Sequence, residues 1–187
     1  MKKILFIVCC LMFVPMFVKA DHIYNINMLI QVERDGSAYI LENWEVQADS
    51  GSSWCKKIYD SGNRDNLLEY GVHMDGTLLE FKEDWNSKDS LRKNAGYYGI
   101  SYTDKGMELC FGKIDYERHN YSISYAVKNY IFNTEDYQLL YHVALPKTTV
   151  DQFRIEVIPI GYELKDDMEL LKYGFDGNSY IEEDSNT

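Results

Sequence analysis

Apolar and polar residues alternate along most of this 187-residue chain. From Tyr24 to Val32, Tyr24, Ile26, Met28, Ile30 and Val32 point one way, and Asn25, Asn27 and Gln31 point the other. A period of two is the side-chain geometry of a strand with one covered face. Asp35-Gly36 then marks a turn. Beyond it Ile40, Trp44, Val46 and Ala48 share a face opposite Asn43, Glu45 and Gln47. Residues 24–48 therefore predict a hairpin. Glu42 falls on the apolar side, where an unpaired carboxylate is costly, so it is expected at a sheet edge or beside a partner.

The same alternation recurs downstream. Leu67–Val72 and Thr77–Phe81 flank His73-Met74-Asp75-Gly76 as a second hairpin. Tyr98, Ile100 and Tyr102 lead through Asp104-Lys105-Gly106 into Met107, Leu109 and Phe111. Tyr121, Ile123, Tyr125, Val127 and Ile131 form another face, followed by Leu139–Leu145 and Phe153–Ile160. Pro146 and Pro159 sit at strand ends, where a missing amide donor is tolerated. Residues 49–66 and 82–94 show little periodicity and read as long exposed connections. Lys165–Tyr173 supports at most a short helix. Eight or nine strands with no convincing helix before residue 160 predict an all-β fold, an antiparallel β-sandwich. A closed barrel is the competing architecture. The expected domain is 21–160, with 161–187 an acidic, partly disordered extension ending in Glu182-Glu183-Asp184.

The front of the chain reads as an export signal. Met1-Lys2-Lys3 precedes the uncharged run Ile4–Val18, and Val18-Lys19-Ala20 offers a cleavage site before Asp21. Pro15 and the short run favour a cleaved signal over a retained anchor. Cys9 and Cys10 lack the small-residue context that lipidation needs. After Asp21 no stretch reaches the ~20 apolar residues of a membrane span. The expected product is an exported, extracytoplasmic bacterial protein, secreted or loosely attached to the cell envelope. Loss of Lys2, Lys3 and Lys19 moves the formal charge from -11 to -11 - 3 = -14. That surface disfavours nucleic acid and anionic headgroups.

Candidate chemistry is sparse. Cys55 and Cys110 remain after position 20, and an oxidising compartment permits a disulfide between them, which spacing alone does not decide. There is no Cys-x-x-Cys pair for zinc or redox work. His73, His119 and His142 stand apart without a metal-binding spacing and read as surface or turn residues. His142 lies in an apolar run, where a tyrosine hydroxyl could pair with it. Glu42 and Glu45 lie on opposite faces and make a poor catalytic dyad. Asp60–Asp65 carries calcium-type side chains, but Arg64 interrupts them and the full loop pattern is missing. No metal or cofactor is expected, and no catalytic set emerges. The sixteen tyrosines are unusual. Tyr24, Tyr121 and Tyr125 follow core periodicity. Trp54, Tyr59, Trp85, Tyr97, Tyr98 and Tyr137 fall in or near loops and form the candidate recognition surface.

Four stretches carry a family resemblance: Val32-Glu33-Arg34-Asp35-Gly36-Ser37-Ala38-Tyr39-Ile40-Leu41-Glu42, Val72–Gly76, Tyr121–Ile131 and Glu135–Tyr141. In order and spacing they resemble the extracytoplasmic N-terminal domain of YciQ-type predicted membrane proteins, domain of unknown function 2207. The likeness spans about 23–160. The chain departs from the family at Tyr141-His142-Val143, where Tyr-Trp-Asn is usual, and it lacks the family's following transmembrane helices. The resemblance implies a β-rich envelope module and supplies no activity. The leading expectation is a non-enzymatic exported module that binds another protein, such as an envelope or membrane protein, or serves as an envelope-associated structural module. A carbohydrate-binding module is the alternative, and a hydrolase using dispersed carboxylates is a weaker one.

Overall fold

The computed structural model describes residues 21–58, 66–103, 106–133, 138–140, 142 and 150–163. Its strands are β1 (His22–Glu33), β2 (Ala38–Gln47), β3 (Ser53–Ile58), β4 (Leu67–Met74), β5 (Thr77–Leu78) and β6 (Glu80–Phe81). After the helical turn α1 (Leu91–Asn94) come β7 (Tyr97–Thr103), β8 (Gly106–Gly112), β9 (Arg118–Val127), β10 (Ile131–Asn133), β11 (Gln138–Leu140) and β12 (Val150–Ile160). One sheet runs β12-β1-β2-β9-β4-β5 and a second β3-β8-β7-β6, with β10 and β11 as a separate hairpin. The two larger sheets pack face to face as a β-sandwich.

The β1–β2 hairpin forms where the alternation places it. Gly36 has φ 82°, a conformation its missing Cβ permits, and Asp35 Oδ1 accepts from the Ser37 amide at 2.9 Å. The Gly36 carbonyl in turn accepts from the amides of Tyr130 and Ile131, which fastens this turn to the end of β9. Ile26, Met28, Ile30 and Val32 of β1 meet Ile40, Trp44 and Val46 of β2 in the core. From β9 come Tyr121, Ile123, Tyr125 and Val127, and from the other sheet Leu109 and Phe111. A large apolar side chain buried this fully contributes about 1.5–3 kcal/mol, so these inward rows hold the sheets together.

The structure departs from the sequence expectation in several places. Residues 53–58 form a strand, β3, where a loop was expected. Its inward residues are Trp54, Lys56 and Ile58, and a lysine in the middle position conceals the period of two. The pairing is mixed: β12 runs parallel to β1 and β6 parallel to β7. Among the described residues there are twelve strands against the expected eight or nine, because β5, β6, β10 and β11 are short pieces of two or three residues. A register shift between Ile23 and Asn25 takes Tyr24 out of the core face, and the Arg118 guanidinium stacks 3.9 Å from its ring centre. Ile131 opens β10 instead of continuing β9. Leu139–Leu145 is described only through Leu140 and at His142, and the expected helix at 165–173 lies outside the described residues. No helix among the described residues is long and apolar enough to cross a membrane.

Cys55 and Cys110 face each other on β3 and β8 and are joined as a disulfide. It spans 55 residues of chain. Closing such a loop restricts the unfolded chain and is worth about 2–4 kcal/mol. Denaturant unfolding of Cys55→Ser/Cys110→Ser should show a loss of that size. Equal midpoints for the variant and the untreated protein would contradict the assignment.

Candidate functional site

Of the six aromatic residues expected to form one surface, the structure describes four and does not gather them all. Tyr59 and Tyr137 lie outside the described residues. Trp54 is a correction: it is buried on β3, not exposed in a loop. The Lys113 ammonium lies 4.3 Å from its ring centre. That lysine also binds Asp21 Oδ2 at 2.9 Å and donates to the Ser50 carbonyl at 2.6 Å. Trp54 thus forms the apolar floor of a polar clasp on the chain's first described residue. Burial raises the Asp21 pKa, but the Asp49 amide and Lys113 outweigh it and hold the carboxyl below its usual value.

Trp85 is half-buried on the outer face of the second sheet. A Cβ at Gly99 would lie 2.7 Å from Trp85 Cβ, and one at Gly112 only 1.7 Å from the Asn94 carbonyl oxygen. Glycine at these two positions lets the 82–96 segment lie flat on β7 and β8. Lys82 reaches Asp89 at 3.2 Å and Asn94 Oδ1 at 3.3 Å, which closes that segment on itself. Trp85 and Trp54 therefore serve packing.

Tyr97 lies exposed at an edge of the sandwich, whereas Tyr98, expected beside it on the surface, turns inward beneath that edge. There the chain passes from β5 in one sheet to β6 in the other, with Leu79 buried at the crossing. Phe81 pairs in register with Tyr98, and Glu80 with Tyr97. The rings of Tyr70, Phe81 and Tyr98 form a triangle with centre distances of 5.5, 5.5 and 6.3 Å. Tyr98 is buried, and its hydroxyl donates to the Tyr70 carbonyl at 3.3 Å. Burial raises the pKa of Tyr70 and of Tyr98, each helped by a neighbouring tyrosine, so both remain neutral phenols. Phe81 of this triangle is 47 % exposed, Tyr102 farther along β7 is 51 % exposed and Leu78 of β5 is 60 % exposed. Beside the triangle Met74, Thr77, Leu78, Glu80 and Tyr97 line a shallow hollow of about 390 Å³. The edge is an aromatic and aliphatic surface with a carboxylate at its margin. Tyr70 and Phe81 are its unforeseen members, hidden in sequence as ordinary strand residues.

A buried polar network was signalled by Glu42 on the apolar face of its strand and by His142, for which a tyrosine hydroxyl was the expected partner. Glu42 lies on an interior strand, not at an edge, and is fully buried. Lys56 Nζ reaches Oε1 at 3.1 Å from the opposite sheet. The Tyr125 hydroxyl donates to Oε1 at 2.7 Å and the Trp44 indole N–H to Oε2 at 2.8 Å. Burial pulls the Lys56 pKa down, and Glu42 pulls it back only in part. The Tyr130 hydroxyl contacts His142 Nδ1 close by. Burial first, then the Lys56 charge, lowers the His142 pKa to about 3, so its imidazole is neutral. Glu42 and Lys56 have no solvent-facing surface on which a substrate could meet them, and the network is a tie between sheets.

A third cluster closes one end of the sandwich. His119 Nδ1 lies 2.6 Å from Asp75 Oδ2, and Nε2 lies 2.8 Å from Asp115 Oδ1. Only the imidazolium can donate to both carboxylates. Burial opposes its charge, but the bonds to Asp115 and Asp75 outweigh burial and raise the His119 pKa. The His119 bond is foremost in lowering the Asp115 pKa. For Asp75, burial acts upward and is outweighed by the Asn120 amide and His119. Among the described residues the metal-type donors that converge are Cys55, Glu108 and Cys110. The disulfide consumes both sulfurs, so they are not thiolate ligands. The Asp60–Asp65 stretch lies outside the described residues.

Removing one partner of the buried pair, by Glu42→Gln or Lys56→Met, should cost about 3–5 kcal/mol in urea unfolding. Glu42→Gln/Lys56→Met should cost less than the sum of the two, and additive losses would contradict the coupling. For His119 the folded pKa is raised, so its stabilisation is complete below the unfolded value of about 6.5 and is lost as pH rises through the folded value. The two aspartates contribute above about 3.8 and lose their contribution as pH falls through their lowered values. The melting-temperature gap between the wild type and His119→Asn should therefore be widest between those limits and shrink in alkali. A pH-independent gap would sink the clasp.

No family model and no curated protein matches the chain. Among solved structures it is similar to yeast LTA4 hydrolase in complex with bestatin, at 8% identity and a TM-score of 0.35, over 57% of this chain and 14% of that one. It is also similar to an M1 zinc metallopeptidase from Deinococcus radiodurans, at 11% identity and a TM-score of 0.30, over 59% of this chain and 21% of that one. The chain thus spans well under a quarter of either protein, and likenesses this distant carry no argument about its activity.

Proposed function

We propose that this protein is an exported, non-enzymatic sandwich module that binds another protein of the cell envelope. The single observation that supports this reading is the edge where β5 and β6 pass between the sheets. Phe81 lies exposed there among the packed rings of Tyr70 and Tyr98, Leu78 and Tyr97 line the hollow beside it, and Tyr102 is exposed on β7. Rigid aromatic area backed by packed rings loses little side-chain entropy on contact, which is why such residues carry binding energy at protein interfaces. Glu80 and the acidic chain as a whole favour a partner with neutral or basic residues around an apolar centre. Export rests on the front of the chain, and the envelope setting agrees with the resemblance to the YciQ-type domain.

The test is a crosslinked capture from the native envelope, followed by affinity measurement on the recovered partner. Each of Leu78→Ser and Phe81→Ser should weaken binding by about 1–2 kcal/mol, roughly tenfold, because both side chains stand at the exposed edge. Unchanged affinity in the Leu78→Ser/Phe81→Ser variant would remove this surface from the account. Retention on a glycan instead, lost in Tyr97→Ala, would replace the protein partner with a carbohydrate.

A further inference from the structure

The groups lining the hollow beside the aromatic edge complement one kind of side chain. Buried Met74 and Leu79 and exposed Leu78 give it an apolar lining. Glu80 of β6 and Tyr97 of β7 line it too, and they are register partners in a parallel pair. Register partners on neighbouring strands share one face, with backbones about 4.8 Å apart, so the carboxylate stands beside the phenol ring. Phe81 and Tyr98, the next pair, turn to the other face and into the ring triangle. Glu80 is exposed, and its carboxylate has no ion pair or hydrogen bond among the described residues. Asp75 also lines the hollow, but His119 and the Asn120 amide occupy its two oxygens. The uncompensated charge of the hollow is therefore that of Glu80, and no lysine or arginine lines it.

The geometry points to a seat for an arginine side chain of the protein partner, an inference that rests on the binding role proposed for this edge. The aliphatic stem of that arginine lies along Met74 and Leu78, and its guanidinium lies flat on the Tyr97 ring. In this pose the in-plane N–H groups point sideways, toward the neighbouring Glu80 carboxylate, and form a charge-assisted pair with it. A lysine ammonium has no plane with which to stack and donate sideways at once. A neutral side chain leaves Glu80 without a counter-ion. Asp and Glu outnumber Lys and Arg by 30 to 19 in the chain, so the field around the hollow also draws a cation toward it.

An NMR titration of the isotope-labelled full chain with n-butylguanidinium, followed amide by amide, tests this. Saturable shifts should be confined to residues 77–80 and 95–97, which line the hollow. Glu80→Gln should weaken the binding about threefold to fivefold, the size expected of a partly exposed ion pair. The probe n-butylammonium should bind more weakly than butylguanidinium, and neutral pentanamide more weakly still. No shifts, shifts scattered over the acidic surface, equal affinity for butylammonium or indifference to Glu80→Gln would each overturn the arginine seat. Glu80 is exposed, and an unchanged melting temperature of the variant separates loss of binding from loss of fold. The probe reads the hollow by itself. Butylguanidinium binding with no envelope protein captured would support the seat and contradict the envelope reading. A captured partner released by Leu78→Ser/Phe81→Ser but held equally by Glu80→Gln would overturn the seat and leave the edge as the binding surface.

Discussion

The contact on which the sandwich's internal organisation turns is the one between Glu42 and Lys56. Each sits on the inward face of a different sheet, and each is almost without solvent. Removing two charges from water costs several kcal/mol per ion, so the pair is a poor source of net stability. What it supplies is specificity. If β2 slipped by one residue against its neighbours, the carboxylate would turn outward and leave Lys56 buried and unpaired. Trp44 and Tyr125 complete the arrangement by donating to the two carboxylate oxygens, so each is both core filling and part of the polar network.

Around that tie the two ends of the sandwich are closed by different chemistry. At one end Asp21, Lys113 and Trp54 anchor the start of the described chain, and His119 joins Asp75 to Asp115. At the other, the Gly36 carbonyl bonds the amides of Tyr130 and Ile131. Polar groups that are buried or clasped in this way are occupied in holding elements together. The aromatic edge differs, since its rings pack among themselves while their outer neighbours face solvent. That contrast separates a surface available for binding from side chains committed to structure.

The legible parts of the fold were those in which local spacing decides the outcome. The β1–β2 hairpin needed only alternation and Asp35-Gly36, and the inward faces of β7, β8 and β9 followed from period two. β3 escaped because Lys56, a charged residue, occupies an inward position and is explained only by Glu42 on another strand. The parallel seat of β12 beside β1 joins residues more than a hundred positions apart, which alternation within either strand cannot specify. The candidate site was half visible. Tyr97 and Tyr98 stood out by their place near a turn, whereas Tyr70 and Phe81 looked like core strand residues. Trp54 and Trp85 drew attention as loop aromatics, yet the strand beneath one and the glycines beneath the other give them packing roles.

The central claim, that the Glu42–Lys56 tie makes one cooperative unit of two sheets, is most directly tested by native-state hydrogen exchange resolved by residue. The account predicts that core amides of β2 and β9 in one sheet, and of β3 and β8 in the other, exchange only through a shared opening with the same free energy. Exchange of β3 and β8 through a separate, lower-energy opening, while β2 and β9 stay protected, would contradict it.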